Sequence, residues 1–175
     1  MMGIERINAK YVFFKQMSYC KDVGMNSNRR ERIQRIKNKL ISKSTGIEKV
    51  YLSRGDSGVL RKIINEDELI DALRDLGFHI ASVYDPFDDI IASCAGARVT
   101  VSIEGSNTAH LMMSASFGAD HIIINPADRV CCIFADYASA VGDNIHTIVA
   151  VKEKDGYKVD VPRLVNIIQK LQDVK

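Results

Sequence analysis

From residue 47 onward, hydrophobic and polar positions along the chain predict strands and helices in regular alternation. Short blocks of consecutive apolar residues between polar loops are typical of strands buried on both faces. Between them, apolar residues three and four positions apart are typical of amphipathic helices. The pattern predicts strands at residues 48–53, 78–83, 98–103, 121–124 and 145–151, and helices at residues 65–77, 87–94, 106–117, 130–141 and from Asp160 onward.

The residues at the predicted helix ends support these boundaries. Asn65 is a good N-cap, and the acidic residues that follow it suit the positive end of the helix dipole. Gly77 is the residue type expected just after a helix C-terminus. Asp160 is predicted to cap the last helix in the same way as Asn65.

Buried strands that alternate with single helices imply a parallel sheet covered on both faces. We therefore predict an α/β fold for residues 46–175, a doubly wound, Rossmann-like parallel sheet of about five strands. Residues 1–45 are predicted to form an N-terminal extension and linker. This extension carries a basic surface helix over residues 29–42, whose apolar stripe consists of Ile33, Ile36, Leu40 and Ile41.

The charge of the chain is small but uneven. The net charge is +2, with 12 basic and 4 acidic residues in the first 50 positions and 12 basic and 18 acidic residues in the rest. A surface for nucleic acid, anionic lipid or an acidic partner is one interpretation of the basic first third. No aromatic residues are interleaved with the basic ones, as a single-strand nucleic-acid surface would require, so a solvated helix face is the favoured interpretation. The apolar runs are too short to span a membrane and no signal-peptide pattern is present, so we expect a cytoplasmic protein.

The four cysteines, Cys20, Cys94, Cys131 and Cys132, have neither the density of a disulfide scaffold nor the spacing of a zinc site. We expect them to be reduced and mostly buried. No set of His, Asp and Glu recurs at a metal-ligand spacing, and a metal site is therefore not predicted.

In a doubly wound sheet, ligands bind beyond the carboxyl ends of the strands. The loop after Leu52 carries Arg54 and Arg61, which are predicted to pair with phosphate oxygens; structural salt bridges are the alternative for each. The same loop contains the sequence GDSG around Ser57. All four histidines follow Ser57 in the chain, contrary to the chymotrypsin order, so a nucleophilic role for Ser57 is not favoured.

The second candidate loop joins a strand to a helix through Glu104, Gly105 and Ser106. A glycine at this point lets a ligand approach the backbone, and the amides of residues 106–109 are predicted to form an anion site. Glu104 would repel a phosphate, so we expect it to accept hydrogen bonds from sugar hydroxyls or from a nearby arginine. His110 lies one turn into the helix, where a ligand contact and a packed core histidine are both consistent with the sequence.

The third candidate loop, residues 125–129, follows the next strand with polar groups and a proline. It is predicted either to shape the same cleft through Asn125 or to be only a turn.

Several short motifs follow one another in a fixed order over residues 47–130. They are Ser53-Arg54, Arg61, Asn65-Glu66-Asp67-Glu68-Leu69, Gly77-Phe78, Ala97-Arg98-Val99, Glu104-Gly105-Ser106 and Asn125-Pro126. Their order and spacing resemble the carboxyl-terminal half of glycosyltransferase family 61. That family includes bacterial capsular polysaccharide biosynthesis enzymes and eukaryotic transferases of N-acetylglucosamine or xylose.

The resemblance implies one half of a GT-B fold that binds a nucleotide-sugar donor in an inverting enzyme of capsular or surface polysaccharide biosynthesis, in the cytoplasm of a bacterium. It implies that Arg54 and Arg61 contact the diphosphate and that the turn at Gly105 lies in the donor pocket with His110 nearby. No metal or other cofactor is implied. The full set of expected substrate-binding residues is Ser53, Arg54, Arg61, Asn65, Glu104, Gly105, Ser106, Asn107, His110 and Asn125, with Glu104 and His110 as candidate catalytic bases.

The chain differs from such an enzyme in one respect, because it has no room for the amino-terminal acceptor domain. We expect this domain, or a partner chain, to supply the acceptor site. Two other functions stay open at this point: a small stand-alone enzyme acting on a nucleotide or phosphosugar, and a non-catalytic module that docks through its basic helix. No nucleic acid and no membrane span are expected, and an oligomer is compatible with the sequence.

Overall fold

A computed structural model of the chain describes residues 13, 15–16, 26–56, 58, 61–129 and 131–173. The predictions for Cys20 and Ser57 lie outside these residues. In chain order the elements are α1 (Ser27–Ile41), β1 (Lys49–Ser53), α2 (Glu66–Asp75), β2 (His79–Ser82), α3 (Phe87–Cys94), β3 (Val99–Ile103), α4 (Thr108–Ser114), β4 (Asp120–Pro126), α5 (Ile133–Val141), β5 (Asn144–Glu153), β6 (Gly156–Lys158) and α6 (Val161–Asp173).

The described strands form one sheet in the order β2-β1-β3-β4-β5-β6. The first five run parallel, which confirms the predicted α/β architecture. β6 pairs antiparallel with the end of β5. The five strands predicted from the sequence do not include this one. The three residues of β6 are too few to show an apolar pattern typical of a strand. Their antiparallel pairing with β5 stabilises the strand instead.

Helices cover both faces of the sheet. Successive strand residues point to opposite faces, so Tyr51 joins the core under α2 and α6, whereas Val50 and Leu52 join the core under α3 and α4. Ile123 packs with Phe134 and Ala138 of α5 on the second face. The sheet is therefore doubly wound, with α2 and α6 on one face and α3, α4 and α5 on the other.

The direction of winding reverses between β1 and β3. The chain passes from β1 through α2 to β2, then crosses back through α3 to β3 on the other side of β1. In this strand order the crevice between the carboxyl ends of β1 and β3 is the expected ligand site. The loops that begin at Arg54 and Glu104 leave the sheet at this crevice.

α1 forms a further layer on the second face and packs against α4 and α5. Its buried side chains are Ile33 and Lys37. Ile36 was predicted to belong to the apolar stripe, but 48% of its surface is exposed, so this prediction is wrong. The position that sequence reasoning assigned to the basic outer face, Lys37, is the one that points inward.

Lys37 is buried because it meets a buried carboxylate. Its Nζ lies 2.5 Å from Oδ2 of Asp143 and donates to the carbonyl of Met112 at 3.1 Å. His121 Nε2 lies 3.0 Å from the same Asp143 oxygen, and its Nδ1 lies 2.7 Å from Oγ1 of Thr100. A buried charge is tolerated only when paired and hydrogen-bonded, and this network meets both conditions. It fastens α1 to the amino ends of β3 and β4.

The observed ends of several elements differ from the predicted ones. Asp160 caps α6 by accepting a hydrogen bond from the Arg163 N–H, as predicted. Asn65 makes no side-chain cap of α2, and α4 is much shorter than residues 106–117. Cys94 is buried, but Cys131 is half-buried and Cys132 is exposed, so the expectation of mostly buried cysteines is wrong for this pair.

Within the described residues, no helix combines the length and the apolar character that crossing a lipid bilayer requires.

Replacing Lys37 with Met is expected to destabilise the protein by about 3–5 kcal/mol, because the Asp143 carboxylate stays buried after its cation has gone. The exposed neighbour Lys39 is the matched control, and Lys39→Met is expected to change the free energy of unfolding by less than about 0.5 kcal/mol. Urea denaturation at pH 8 measures both. Equal effects of the two substitutions would show that the buried pair does not hold α1.

The loss of stability in Lys37→Met is expected to be smaller at pH 5.5 than at pH 8. In the native protein, burial and, to a smaller extent, the Lys37 charge lower the pKa of His121, whereas Asp143 raises it. A lowered pKa means that stability is present above the unfolded pKa of about 6.5 and falls as the pH drops below it. Without Lys37, the imidazole can take up a proton beside Asp143 and replace the lost charge. Urea denaturation of both proteins at the two pH values measures the difference, and an identical loss at both would contradict the proposed coupling.

Candidate functional site

Among the described residues, three arginines from separate segments converge on Glu104 at the crevice between β1 and β3. Arg54 follows β1 directly, Arg61 lies in the loop between β1 and α2, and Arg129 lies in the loop between β4 and α5. Glu104 follows the last residue of β3. Because parallel strands end at the same edge of the sheet, these distant segments meet in space.

Glu104 contacts the three arginines through both its backbone carbonyl and its side-chain carboxylate. The carbonyl oxygen accepts a hydrogen bond from Nη1 of Arg61 at 2.5 Å and a longer one from Nη1 of Arg54 at 3.5 Å. The carboxylate Oε2 lies 3.2 Å from Nη1 of Arg61 and 3.2 Å from Nε of Arg129. Oε2 is buried without a hydrogen bond of good geometry, so its contact with these two arginines is mainly electrostatic. Glu104 thus holds the guanidinium groups together.

The cluster carries more positive than negative charge. Arg54, Arg61 and Glu104 are each more than nine-tenths buried, whereas 52% of the Arg129 side chain is exposed. Burial lowers the pKa of Arg54, the charges of Arg61 and Arg129 lower it further, and Glu104 partly offsets them. Arginine remains charged despite such a shift because its intrinsic pKa is so high. Among the described residues, three cations meet one carboxylate here, an excess of positive charge that would stabilise an anion.

Gly105 allows the arginines to approach the backbone. A Cβ atom at this position would clash with Nη1 of Arg54 and would lie 2.7 Å from Nη1 of Arg61. The approach of a ligand to the backbone at this glycine stays a prediction; in the structure, the two guanidinium groups lie against it. The two arginines and the turn at Gly105 lie together.

The amides after Gly105 are only partly available. The Thr108 N–H donates to the carbonyl of Gly105, and the Ala109 N–H donates to that of Ser106. The prediction of an anion site from the amides of residues 106–109 is therefore wrong for Thr108 and Ala109, because a tight turn uses them before α4 begins. Ser106 is exposed and Asn107 is half-buried at the same turn.

Ser53 and Asn65 connect elements of the fold. The Ser53 hydroxyl donates to the Glu66 carboxylate at 2.8 Å, an oxygen that it shares with the hydroxyl of Tyr51. The Asn65 side chain accepts a hydrogen bond from the Val159 N–H and donates one to the Val159 carbonyl. These contacts engage both side chains away from Glu104, although both residues were predicted to bind substrate.

The loop that carries Arg61 is anchored at a distant strand. The backbone of Lys62 and Ile64 exchanges hydrogen bonds with that of Tyr157 in β6. The Tyr157 hydroxyl in turn donates to Asp128, one residue before Arg129. β6 therefore fixes the positions of the two segments that carry Arg61 and Arg129.

His110 lies on the side of α4 that faces α3. Its ring packs edge-on against Phe87 with the centroids 5.7 Å apart. Burial lowers the pKa of His110, so the imidazole is neutral at pH 7 and can accept a proton.

Asn125 is buried near the end of β4, and its Oδ1 has no hydrogen-bond partner among the described residues.

Arg129 completes the cluster but was not among the predicted site residues. The sequence could have indicated Arg129 as a site residue, because residues 125–129 follow a parallel strand next to β3 and must lie at the same edge of the sheet. Within the described residues, no group of three His, Cys, Asp or Glu side chains could hold a metal ion.

Comparison with known protein families identifies one match. The model of the family Glycosyltransferase 61 matches residues 5–120, which include α1, Arg54, Arg61 and the turn at Gly105. Asn125 and Arg129 lie after the matched region. No match to a curated protein was found. Since the family match covers well over half of the chain, the protein belongs to glycosyltransferase family 61.

Proposed function

We propose that this glycosyltransferase chain binds the nucleotide-sugar donor of an inverting reaction and holds its diphosphate with Arg54, Arg61 and Arg129. The observation that carries the proposal is the convergence of these arginines on Glu104 and the adjoining Gly105, at the crevice where the winding of the sheet reverses. Guanidinium groups match phosphate oxygens with paired N–H donors. A diphosphate would supply the negative charge that the cluster stabilises.

The reaction requires such a cluster at its leaving group. In an inverting transfer, an acceptor hydroxyl attacks the anomeric carbon while the bond from that carbon to the diphosphate oxygen breaks. The bonding electrons leave with the diphosphate, and the hydroxyl proton passes to a base. Groups already aimed at the charge that develops in the transition state supply the largest share of such catalysis. In this proposal the arginines perform this role, and no metal ion is needed.

Glu104 and His110 are then assigned different roles. Glu104 lies between Arg61 and Arg129, which favours a positioning role, because its carboxylate keeps two cations in place. His110 has a neutral imidazole on the α3 side of α4, which makes it the better candidate for a base. Residues from another domain or a partner chain are proposed to bind the acceptor, in capsular or surface polysaccharide synthesis.

Arg54→Ala and Arg61→Ala are each expected to weaken the binding of nucleoside diphosphates by roughly ten- to a hundredfold, since hydrogen bonds to charged groups contribute about 1.5–3 kcal/mol each. Isothermal titration calorimetry with uridine, guanosine, cytidine and thymidine diphosphates measures this change. Arg74→Ala, which removes an exposed arginine on α2, is the control and is expected to bind like the unaltered protein.

Arg61→Lys tests the paired donors rather than the charge. It is expected to bind more weakly than the unaltered protein and more tightly than Arg61→Ala, because lysine offers a point charge without the planar fork. If none of the four diphosphates binds the unaltered protein, or if Arg54→Ala and Arg61→Ala bind them as Arg74→Ala does, the proposed function is wrong.

Gly105→Ala is expected to weaken diphosphate binding at least as much as the loss of one arginine, because its methyl group would displace both guanidinium groups. Gly77→Ala is the matched control, since Gly77 also has a positive φ but a Cβ there would meet no atom within 4 Å. Both variants are expected to lose some stability, and only Gly105→Ala to lose affinity. Calorimetry and thermal unfolding measure the two properties separately. Full affinity in Gly105→Ala would contradict the proposed geometry.

A further inference from the structure

A cavity of about 200 Å³ lies under the carboxyl end of β4, between the sheet and α5. Its walls are mainly apolar and include Ile123, Phe134 and Ile145, with Thr147 and Cys131 at its sides. Asn125 contributes its main polar group. No residue of this cavity has a part in the arginine cluster described above.

Asn125 has a polar atom that the described residues do not satisfy. The residue is 7% exposed, and its Oδ1 is fully buried without a hydrogen-bond partner. Most buried polar side-chain atoms are hydrogen-bonded, and an unsatisfied one lowers stability. Because Asn125 lines the cavity, a turn of its side chain would let this oxygen accept a hydrogen bond from a ligand there.

The cavity adjoins the proposed diphosphate site. Ile103 pairs with Ile124 in the parallel ladder, and the Glu104 N–H donates to the Ile124 carbonyl at 2.8 Å. The next residues, Glu104 and Asn125, therefore lie opposite each other on neighbouring strands, which are about 4.8 Å apart in a sheet. The alternation along β4 places the Asn125 side chain on the same face as Ile123, which packs against α5.

We infer that this cavity binds the nucleobase of the donor and that Asn125 pairs with the hydrogen-bonding edge of the base. The inference rests on the proposed function. A pyranose would bring several hydroxyls into apolar walls that cannot satisfy them. A base is a planar ring with an apolar face for Phe134 and one polar edge, and an asparagine carboxamide can match a donor and an acceptor on that edge.

The cavity residues lie outside the part of the chain that the family match covers, which ends at residue 120. The arginines after β1 and the turn at Gly105 lie inside it. Base recognition by Asn125 would therefore be a property of this chain rather than one that the family match implies.

Asn125→Ala tests the inference by comparing two ligands, a nucleoside diphosphate and inorganic pyrophosphate, in calorimetry. The unaltered protein is expected to bind its preferred nucleoside diphosphate more tightly than pyrophosphate. Asn125→Ala is expected to weaken binding of that nucleotide by roughly ten- to a hundredfold and to leave pyrophosphate binding unchanged. Asn38→Ala, on the exposed side of α1, is the control and is expected to alter neither.

Asn125→Asp tests which groups of the base are read. It keeps an acceptor but removes the N–H donor, so affinity is expected to shift toward guanosine diphosphate, whose base offers two adjacent donors. Uridine diphosphate, whose base has acceptors beside its single donor, is expected to bind more weakly to this variant than to the unaltered protein.

The outcomes separate the two proposals. If the unaltered protein binds neither pyrophosphate nor any nucleoside diphosphate, the proposed function fails, and the assignment of the cavity fails with it. If it binds them but Asn125→Ala keeps the full affinity for the nucleotide, only the base site is overturned. An equal loss of affinity for the nucleotide and for pyrophosphate would also overturn it, because it would indicate a structural effect on the whole site.

Discussion

The mutual repulsion of Arg54, Arg61 and Arg129 around one carboxylate is the constraint on which the arrangement of this site depends. Guanidinium groups that are largely buried favour separation, and burial lowers the pKa of Arg54. Three features oppose that separation. The Glu104 carboxylate attracts two of the arginines, its carbonyl accepts hydrogen bonds from two, and the missing side chain of Gly105 leaves room for them. The hydrogen bonds between β6 and residues 62–64 then fix the loop that would otherwise move away.

A second buried cluster, at the opposite edge of the sheet, shows the contrasting case. Lys37 and Asp143 balance each other, and His121 is neutral, with its pKa lowered chiefly by burial. Every principal group there has a partner within the protein, so the cluster serves packing and secures α1 on the sheet. Among the described residues, the arginine cluster has an excess of positive charge, and Asn125, which lines the cavity beside it, has a buried oxygen without a hydrogen-bond partner. Imbalance of charge and of hydrogen bonding among the described residues therefore distinguishes the candidate site from the structural cluster.

Much of the fold was predictable because local periodicity reflects burial on one or both faces. All five parallel strands and the helices between them follow from the apolar pattern, as does the location of the candidate site at the carboxyl edge of the sheet. The site was predictable in part, because Arg54, Arg61, Glu104 and Gly105 flank strand ends. Ser53 and Asn65 have the same polar character in sequence, but their hydrogen bonds to Glu66 and Val159 depend on the packing of α2 and β6. The periodicity of apolar residues does not indicate which hydrogen-bond partners a polar side chain has.

The sequence by itself determined the order of the elements. It also placed Gly105 at the turn after β3, and Arg54 and Arg61 in the loop after β1, since each of these positions depends on residues close together in the chain. Only the tertiary structure decided that Arg129 joins them, that Lys37 points inward and that Asn125 lies opposite Glu104. These facts depend on strand order and register, which bring together residues 21 to 106 positions apart. The physical reason is that burial and ion pairing act between residues that are close in space. The local apolar pattern predicts a strand but does not specify which other strand it pairs with.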